Sequence, residues 1–319
     1  MTGDATFGEP EYFTEWYGKY EAHSHRRKRV FTVRRTGYQS VELAALGRLG
    51  KVLLLDGRVQ SAECDQRIYH ESLVWPAAAR VVRPTRALVL GAGEGVVMAE
   101  LLRLHSLRRI VAVDIDAEII EISKKSLRDW NRGSFEDPRV DLRIEDGRAY
   151  VEKYSGEPFD LAYLDLPEPL AGGPARSLYT VEFYRAVRRC LKPGGIAVIQ
   201  ANAVRINFYD WHFRILKSLE CAFPHVLPYV AYIPSFSMAW GFAMASSRPI
   251  RPLRRASLDR LLRQTGHDLV HYSFATDGAM CAAPPWYEKL HRKGKWKPFR
   301  DAAPPAERVR NLARRPTPP

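Results

Sequence analysis

Short apolar segments alternate with amphipathic ones from Arg86 onward, over residues 86–200. The apolar segments have the length of buried strands, and the segments between them have the spacing of helices. Strands that alternate with helices are typical of a parallel sheet covered on both faces. The sequence therefore predicts an α/β fold with a doubly wound, Rossmann-like sheet. The strand segments are ALVLGAGEG, RIVAVDID, VDLRIED, FDLAYLDL and GGIAVIQA, and the later runs VLPYVAYIP and FAMAS predict closing antiparallel strands.

The chain before this region has a different pattern. Between residues 30 and 65, short apolar or alternating runs are interrupted by Gly47, Gly50 and Gly57, as in antiparallel hairpins. We therefore predict a small β-rich N-terminal domain over residues 1–64 and the Rossmann-like domain over residues 65–275. A helix is expected at the start of the second domain, from about Asp65 to Ala79.

The net charge of +13 is concentrated near the C-terminus. Residues 201–319 contain 19 Lys and Arg against 8 Asp and Glu, whereas residues 86–200 contain 17 and 18. Together with its prolines, this composition predicts a basic, loosely ordered tail over residues 276–319. A solvated tail is the favoured interpretation. A nucleic-acid partner is not expected, because no RNA-binding motif accompanies the charge.

Several classes of protein do not fit the sequence. No apolar run approaches the roughly 20 residues that span a bilayer, and the start MTGDATFGEPEYF lacks the regions of a signal peptide. We therefore expect a soluble cytoplasmic protein without membrane contact. The cysteines are scattered without the paired spacing of a metal or redox site, so no metal site is predicted. They are Cys64, Cys190, Cys221 and Cys281.

Three glycines follow the first strand of the α/β region and open a helix. Gly91, Gly93 and Gly95 have no side chains that would keep a ligand from the backbone. Asp114 ends the next strand, where a carboxylate can accept hydrogen bonds from both ribose hydroxyls. The glycine turn and Asp114 therefore predict a nucleoside site, as found in NAD enzymes and in S-adenosylmethionine enzymes alike.

Two further positions refine this site. Asp146 and Gly147 follow the third strand, where an adenine amino group would lie, although a helix cap is an equally good interpretation of Asp146. Glu94 stands inside the glycine turn, where it would repel a pyrophosphate and attract a cation. It therefore favours a cationic sulfonium donor over a dinucleotide, with an exposed acid at a helix start as the alternative.

A second acidic group follows the fourth strand. Asp165 lies at the carboxyl end of that strand, the edge at which parallel sheets bind ligands, and Glu168 follows three residues later. With Glu94, these acids predict a pocket for an amine, in which one carboxylate takes a proton. A single acid at a strand end often only anchors a loop, but three acids at one edge favour the amine pocket.

Six motifs along the chain indicate a family relationship. The chain resembles the polyamine aminopropyltransferases, the spermidine and thermospermine synthases, over about residues 38–248. The GGP and IPSF blocks are most similar to the thermospermine synthase branch and to bacterial triamine or agmatine aminopropyltransferases. The motifs, in order, are LDGRVQSAECDQRIYHE, LGAGEG, VDID, EDGRAY, DLPEPLAGGPARSLYTVEFY and AYIPSFSMAWGFAMAS.

The resemblance implies a β domain over a Rossmann-like sheet of the methyltransferase type, assembled as a homodimer or homotetramer. It implies no tightly bound cofactor, but decarboxylated S-adenosylmethionine as co-substrate and donor of a 3-aminopropyl group. By similarity, Asp114 would bind the ribose and Asp146 the adenine, while Gln60 and Glu94 would border the aminopropyl end.

The resemblance also implies roles at the acceptor. Asp165 would deprotonate the acceptor amine with the assistance of Tyr69, and Glu168 would bind a distant ammonium. The nitrogen would then displace 5′-methylthioadenosine. Trp240 lies near the implied acceptor mouth, where packing against a strand is favoured over stacking on the substrate.

Two other functions are compatible with the sequence. Ala92 is a departure in the glycine turn, which allows a methyl or other alkyl transferase that uses intact S-adenosylmethionine. Glu168 in place of the family's usual Asp is a second departure, which bears on the length or identity of the acceptor. A non-catalytic nucleoside-binding module with an RNA-contacting tail is the third alternative. The presence of Asp165, Tyr69, Gln60 and Asp114 together argues against such a module.

Overall fold

The computed structural model describes residues 12–17, 21–169, 174–206, 208–266 and 268–305. Two sheets contain all the named strands in these ranges. Within the same ranges, no helix is both long and apolar enough to cross a membrane.

The N-terminal sheet is antiparallel and has the strand order β1-β2-β3-β4-β5. The side chains of Val41, Leu43 and Val52 are fully buried beneath it. This sheet confirms the small β domain that the alternating N-terminal runs predict. Its strands are β1 (Tyr12–Trp16), β2 (Ala22–Arg35), β3 (Ser40–Leu46), β4 (Gly50–Leu55) and β5 (Arg58–Ala62).

The second sheet has seven strands in the order β11-β12-β10-β9-β6-β7-β8. The five strands β10, β9, β6, β7 and β8 are parallel, while β12 pairs antiparallel with both β10 and β11. The predicted parallel sheet and its closing antiparallel strands are thereby confirmed. The strands are β6 (Arg86–Leu90), β7 (Arg109–Asp114), β8 (Val140–Ile144), β9 (Phe159–Leu164), β10 (Leu191–Ala203), β11 (His225–Ile233) and β12 (Met238–Ser246).

Helices cover both faces of this sheet. Alternate side chains of a strand point to opposite faces, so Ala87 and Val89 of β6 belong to one core while Leu88 and Leu90 belong to another. The first eight helices are α1 (Gln66–Ala78), α2 (Val96–Leu102), α3 (Ala117–Ser126), α4 (Arg128–Asn131), α5 (Gly147–Lys153), α6 (Val181–Arg189), α7 (Asp210–Glu220) and α8 (Arg255–Thr265).

The sheet order positions the ligand site. From β6 the chain proceeds through β7 and β8 on one side, and through β9 and β10 on the other. The order therefore reverses between β6 and β9, and in such sheets ligands bind in the crevice beyond the carboxyl ends of the strands at this point. Gly91 and Asp165 directly follow these two strands.

The C-terminal region differs from its predicted loose order. Helices α9 (Phe274–Cys281) and α10 (Pro285–Lys293) form there, and α9 crosses the boundary predicted at residue 275. Tyr287 and Phe299 are buried, and the Trp296 ring stacks on Phe213 of α7 at 5.0 Å. The prediction of a loosely ordered tail is therefore wrong for residues 276–305. The aromatic residues that lie between the basic ones pack against the protein core and order this region. The remaining part of that prediction, residues 306–319, lies outside the described residues.

Candidate active site

The glycine turn after β6 brings two strand ends together. Gly91 has a φ of +84°, and a Cβ there would overlap the carbonyl oxygen of Asp165. The Asp165 N–H in turn donates to the Leu90 carbonyl at 3.0 Å. Only glycine allows the backbones of residues 91 and 165 to come this close. The glycine turn therefore helps to fix the position of Asp165.

The three predicted glycines have different surroundings. Gly91 and Gly93 line a large cavity at the crevice beyond β6 and β9, whereas Gly95 does not. Gly95 has a φ of +80°, and a Cβ at this position would lie 2.6 Å from the Phe135 ring. Gly95 therefore provides close packing at the start of α2, and the structure does not bring it to the cavity.

Asp114 lies at the end of β7 and lines the same cavity. Its Oδ2 accepts from the Ala92 N–H and its Oδ1 from the Asp116 N–H, both at 2.9 Å. Burial raises the pKa of Asp114, and these hydrogen bonds oppose the shift. The carboxylate holds the glycine turn, and each oxygen retains acceptor capacity toward a ligand.

Asp146 and Gly147 reach the cavity from the start of α5. Asp146 Oδ1 accepts from the Ala149 N–H at 2.8 Å and so caps the helix. Asp146 therefore both caps α5 and lines the cavity.

Asp165 forms the centre of the polar end of the cavity. Its Oδ1 accepts from the Tyr69 hydroxyl at 2.7 Å, and its Oδ2 lies 3.9 Å from His70 Nε2. Burial raises the pKa of Asp165, while His70 and the hydrogen bond from Tyr69 oppose the shift. An aspartate in this setting can accept a proton from a bound group.

Glu94 is a second carboxyl group on the same cavity and is half-buried. Its Oε2 is buried and has no hydrogen-bond partner in the described part of the chain. Burial, together with the charge of Asp165, raises the pKa of Glu94 to about 8. A cation placed beside Glu94 and Asp165 would give the Glu94 Oε2 atom a partner and would offset the repulsion between the two carboxylates.

The remaining predicted residues also line the cavity: Gln60 on β5, Glu168 after β9 and Trp240 on β12. Trp240 packs against Phe236 with ring centroids 4.8 Å apart, and its buried Nε1 has no hydrogen-bond partner among the described residues. Glu94, Asp165 and Glu168 therefore face one compartment. Trp240 contributes both to packing and to the cavity wall.

Sequence analysis named Gln60 but missed the lining that comes from the connection between β2 and β3. Tyr38 and Gln39 line the cavity, and Gln39 Nε2 donates to Asp116 at 3.0 Å. Asp116, which also lines the cavity and caps α3, accepts from the Thr36 hydroxyl at 2.6 Å. Asp116 follows Asp114 by two residues, which was a usable signal, whereas the loop around Tyr38 carried none.

The arrangement has two chemically distinct ends. One end combines the glycine turn with Asp114 and Asp146, which suits a nucleoside. The other end combines Glu94, Asp165 and Glu168, which suits a cationic or protonated amine. A transfer between a nucleoside-linked group and an amine would take place between these ends.

Comparisons with known proteins agree with this geometry. Residues 66–253 match the spermine/spermidine synthase domain. A polyamine aminopropyltransferase of Sulfolobus acidocaldarius is 37% identical over 282 residues, which cover 88% of this chain and 93% of that protein. Polyamine aminopropyltransferase 2 of Hyperthermus butylicus is 41% identical over 235 residues, covering 74% and 76%. A crystal structure of spermidine synthase in complex with the transition-state analogue AdoDATO has a TM-score of 0.81 at 26% identity, covering 89% of this chain and 97% of that chain.

The family match covers more than half of the chain, and the relatives align along most of their own length. The resemblance inferred from the motifs is thereby confirmed. The chain belongs to the spermine/spermidine synthase family and is an aminopropyltransferase.

Proposed function

We propose that this enzyme transfers the 3-aminopropyl group of decarboxylated S-adenosylmethionine to an aliphatic di- or polyamine and releases 5′-methylthioadenosine. The single cavity shared by Asp114, Glu94, Asp165 and Glu168 carries the proposal. The AdoDATO complex of the related spermidine synthase supports the identity of the donor. No tightly bound cofactor is needed for this step, because the positive charge on the donor's sulfur already makes methylthioadenosine a good leaving group.

Proton removal is the task we assign to Asp165. Aliphatic amines are protonated near pH 7, so the nitrogen lone pair must be freed before it can attack. Asp165 takes that proton, and the Tyr69 hydroxyl, 2.7 Å from Oδ1, fixes the orientation of the carboxylate. The free nitrogen forms a bond to the propyl carbon next to sulfur. The carbon–sulfur bond breaks, and its electron pair neutralises the sulfonium.

Donor selection is the task we assign to Glu94. The decarboxylated donor carries a free ammonium, which an ionised Glu94 attracts, whereas intact S-adenosylmethionine brings a carboxylate toward the same acid. The buried and unpaired Oε2 strengthens this effect, because burial lowers the local dielectric. We assign the ribose to Asp114, the adenine to Asp146 and Gly147, and the aminopropyl border to Gln60.

Acceptor identity and assembly are also proposed. The motifs are most similar to the thermospermine synthase branch and to the bacterial triamine or agmatine aminopropyltransferases, and we assign Glu168 to the far ammonium and Trp240 to the acceptor mouth. A homodimer or homotetramer in the cytoplasm is the expected form. Size-exclusion chromatography with light scattering tests the assembly, and identification of the product isomer by mass spectrometry tests the branch.

The defining experiment compares donors and acceptors. Purified protein is incubated with decarboxylated or intact S-adenosylmethionine, each with putrescine, agmatine, spermidine or no amine. We expect methylthioadenosine only when the decarboxylated donor and an amine are both present. Release of S-adenosylhomocysteine from the intact donor would instead assign methyl transfer. Donor binding without any product would assign a binding module.

Asp165→Asn is the matched variant for this assay. We expect nucleoside affinity to be retained while turnover falls about a hundredfold or more, the usual contribution of a general base. Isothermal titration with methylthioadenosine checks the affinity, and product release checks the turnover. An unchanged rate would remove Asp165 from the mechanism.

A further inference from the structure

The C-terminal segment, defined here as residues 299–305, has no role in the scheme above. It lies beyond residues 66–253, the range that matches the family domain. The Phe299 side chain is buried, its N–H donates to Ser218 Oγ at 2.8 Å, and its carbonyl accepts from the Val181 N–H at 3.0 Å. The segment therefore starts from a fixed point on the sheet domain.

Asp301 connects this segment to the nucleoside end of the cavity. Its Oδ1 accepts from Arg148 Nη1 at 2.7 Å, and its Oδ2 accepts from Arg148 Nη2. The Arg148 guanidinium holds the pKa of Asp301 below its ordinary value, so the pair is ionised near neutral pH. Arg148 directly follows Gly147, which lines the cavity at the start of α5. Because a bidentate pair has a defined geometry, Asp301 fixes the orientation of this guanidinium.

The same guanidinium holds a second part of the cavity wall. Arg148 Nη1 also donates to the Ser177 carbonyl at 3.1 Å. Ser177 belongs to a short 3₁₀ helix, Pro174–Tyr179, from which Ala175 and Leu178 line the cavity. Arg148 therefore joins the start of α5 to this 3₁₀ helix, and both contribute to the wall.

The C-terminal segment also contacts these elements directly. Arg176 of the 3₁₀ helix donates from Nε to the Pro305 carbonyl at 2.9 Å. The Asp301 N–H donates to Oε2 of Glu182, in the first turn of α6, at 3.1 Å. The segment is therefore bound at both ends and in its middle to the elements that surround the 3₁₀ helix.

The acceptor end of the cavity is held by other contacts. The Tyr179 hydroxyl lies 3.1 Å from the carbonyl oxygens of both Leu166 and Pro167, in the loop after β9. Gln200 Nε2 donates to the Tyr179 hydroxyl at 2.6 Å and to the Leu166 carbonyl at 2.7 Å. Because Gln200 is on β10, this loop is fixed from within the sheet and not by the C-terminal segment.

We propose that the C-terminal segment holds the nucleoside wall of the active site in its binding conformation, and that Asp301, through Arg148, is a positioning residue for the donor. The inference rests on the proposed aminopropyl transfer. Asp301 and Arg148 lie outside the cavity lining, so they act through the start of α5 and the 3₁₀ helix. A wall that is already in place need not be ordered when the ligand binds, which favours affinity.

The test measures methylthioadenosine binding by isothermal titration. In Asp301→Ala we expect Kd to rise about fivefold, which corresponds to about 1 kcal/mol. KM for the decarboxylated donor should rise by a similar factor, whereas kcat and KM for the amine should stay within about twofold of wild type. Arg148 keeps Glu152 as a counter-ion in this variant, since its Nε donates to Glu152 Oε1 at 2.8 Å.

The matched control is Asp141→Ala. Asp141 also pairs with arginines at a partly exposed site, but on β8 and away from the cavity lining. Both variants should unfold within about 2 °C of wild type, because exposed pairs contribute little to stability. Only Asp301→Ala should weaken nucleoside binding.

Three further measurements separate positioning from a purely structural role. Asp301→Glu should restore part of the affinity, and Arg148→Lys, which keeps the charge but not the bidentate geometry, should lose it. Binding should in turn order the segment, because coupling between two sites is reciprocal. Hydrogen exchange at the N–H of residue 301 should therefore slow with methylthioadenosine in the wild type and much less in Asp301→Ala.

Two kinds of failure are distinguishable. Equal Kd values for methylthioadenosine in the wild type and Asp301→Ala, or a fall in kcat alone, would overturn the positioning role and leave the proposed function intact. Were Asp301→Ala unable to fold, Arg148→Lys would decide by the same measurement. A wild type that releases no methylthioadenosine with any amine would overturn the proposed function itself.

Discussion

At the scale of single residues, the site consists of carboxyl groups held where their ionisation is unfavourable. Burial raises the pKa of Glu94 to about 8, and it also raises the pKa values of Asp114 and Asp165. Groups with shifted pKa values collect at functional sites, because the environment that destabilises them is complementary to a ligand. Here the complementary ligand is cationic at several points.

Glu94 gives a prediction that links stability to binding. Its pKa rises from 4.5 to about 8 in the folded protein, so between these pH values the folded state retains a proton that the unfolded state has lost. The stability from this group is therefore present below pH 4.5 and is lost as the pH rises through 8. We expect Glu94→Gln to have a higher unfolding temperature than the wild type at pH 8 to 9, and a flatter dependence on pH.

The same variant should bind the donor less well. In the wild type, KM for the decarboxylated donor should fall from pH 7 to 9 as Glu94 ionises, and in Glu94→Gln this trend should be absent. Thermal unfolding monitored by circular dichroism and steady-state kinetics measure the two effects. Glu118→Gln, at an exposed position of α3, is the control. Parallel pH profiles in Glu94→Gln and the wild type would contradict the assignment.

At the scale of elements, α1 connects the site to the C-terminal region. It presents Tyr69 to Asp165, and its Glu71 accepts from the backbone N–H groups of Val270, His271 and Tyr272. Just beyond α1, Arg80 forms a bidentate pair with Asp277 of α9. The C-terminal helices therefore support the helix that orients the proposed base.

The pair of Arg80 with Asp277 is expected to matter for stability. Their side chains are only 4% and 6% exposed, so Asp277→Asn leaves a buried guanidinium without its counter-ion. We expect the free energy of unfolding to fall by about 3 kcal/mol, as measured by urea denaturation. Asp268→Asn removes one of the two carboxylate partners of Arg67, at a site 67% exposed, and leaves Glu71 as the other, so it should cost less than about 1 kcal/mol. Similar losses in the two variants would contradict this account.

At the scale of the whole molecule, the two sheets form one cavity between them. The N-terminal sheet contributes Gln60 and, from the connection between β2 and β3, Tyr38 and Gln39. The seven-stranded sheet contributes the glycine turn and the acids. Thr36 and Gln39 both donate to Asp116, which joins the sheets at the nucleoside end. The donor and the acceptor would therefore be enclosed by both parts of the chain.

The C-terminal region should be part of the stable core. Tyr287 donates to His212 Nε2 at 2.7 Å, since burial keeps His212 neutral by lowering its pKa to about 4 and its Nδ1 donates to the Ala201 carbonyl. Deleting residues 284–319 removes Tyr287 and Phe299 from this core. We expect the unfolding temperature to fall by roughly 10 °C or more, since each buried aromatic ring contributes up to about 3 kcal/mol.

A shorter deletion provides the comparison. Removing residues 306–319 leaves every described contact of Tyr287 and Phe299 in place, so the unfolding temperature should change by less than about 2 °C. Differential scanning fluorimetry on the two truncations measures the effect. Equal melting of the longer truncation and the full chain would show that this region adds nothing to the core.

The sequence by itself determined the elements and the chemistry at their ends. The period of its apolar residues specified the parallel sheet, because strands and helices expose side chains with different repeats. The glycine turn, Asp114 and Asp165 were predicted because they directly follow apolar strands, and parallel strands bring such residues to one edge. The order of six motifs indicated the family to which the chain belongs.

Tertiary structure alone decided which residues far apart in the sequence share a wall. Gln60 and Glu168, or Tyr38 and Asp114, carry no periodic signal that links them, and their proximity depends on how one sheet packs over the other. Tertiary packing also decided that the C-terminal region, as far as residue 305, forms helices and packs against the sheet domain. Its composition is basic, but Tyr287 and Phe299 find apolar partners only when α7 is in place, since burial is a property of the assembled core and not of the local sequence.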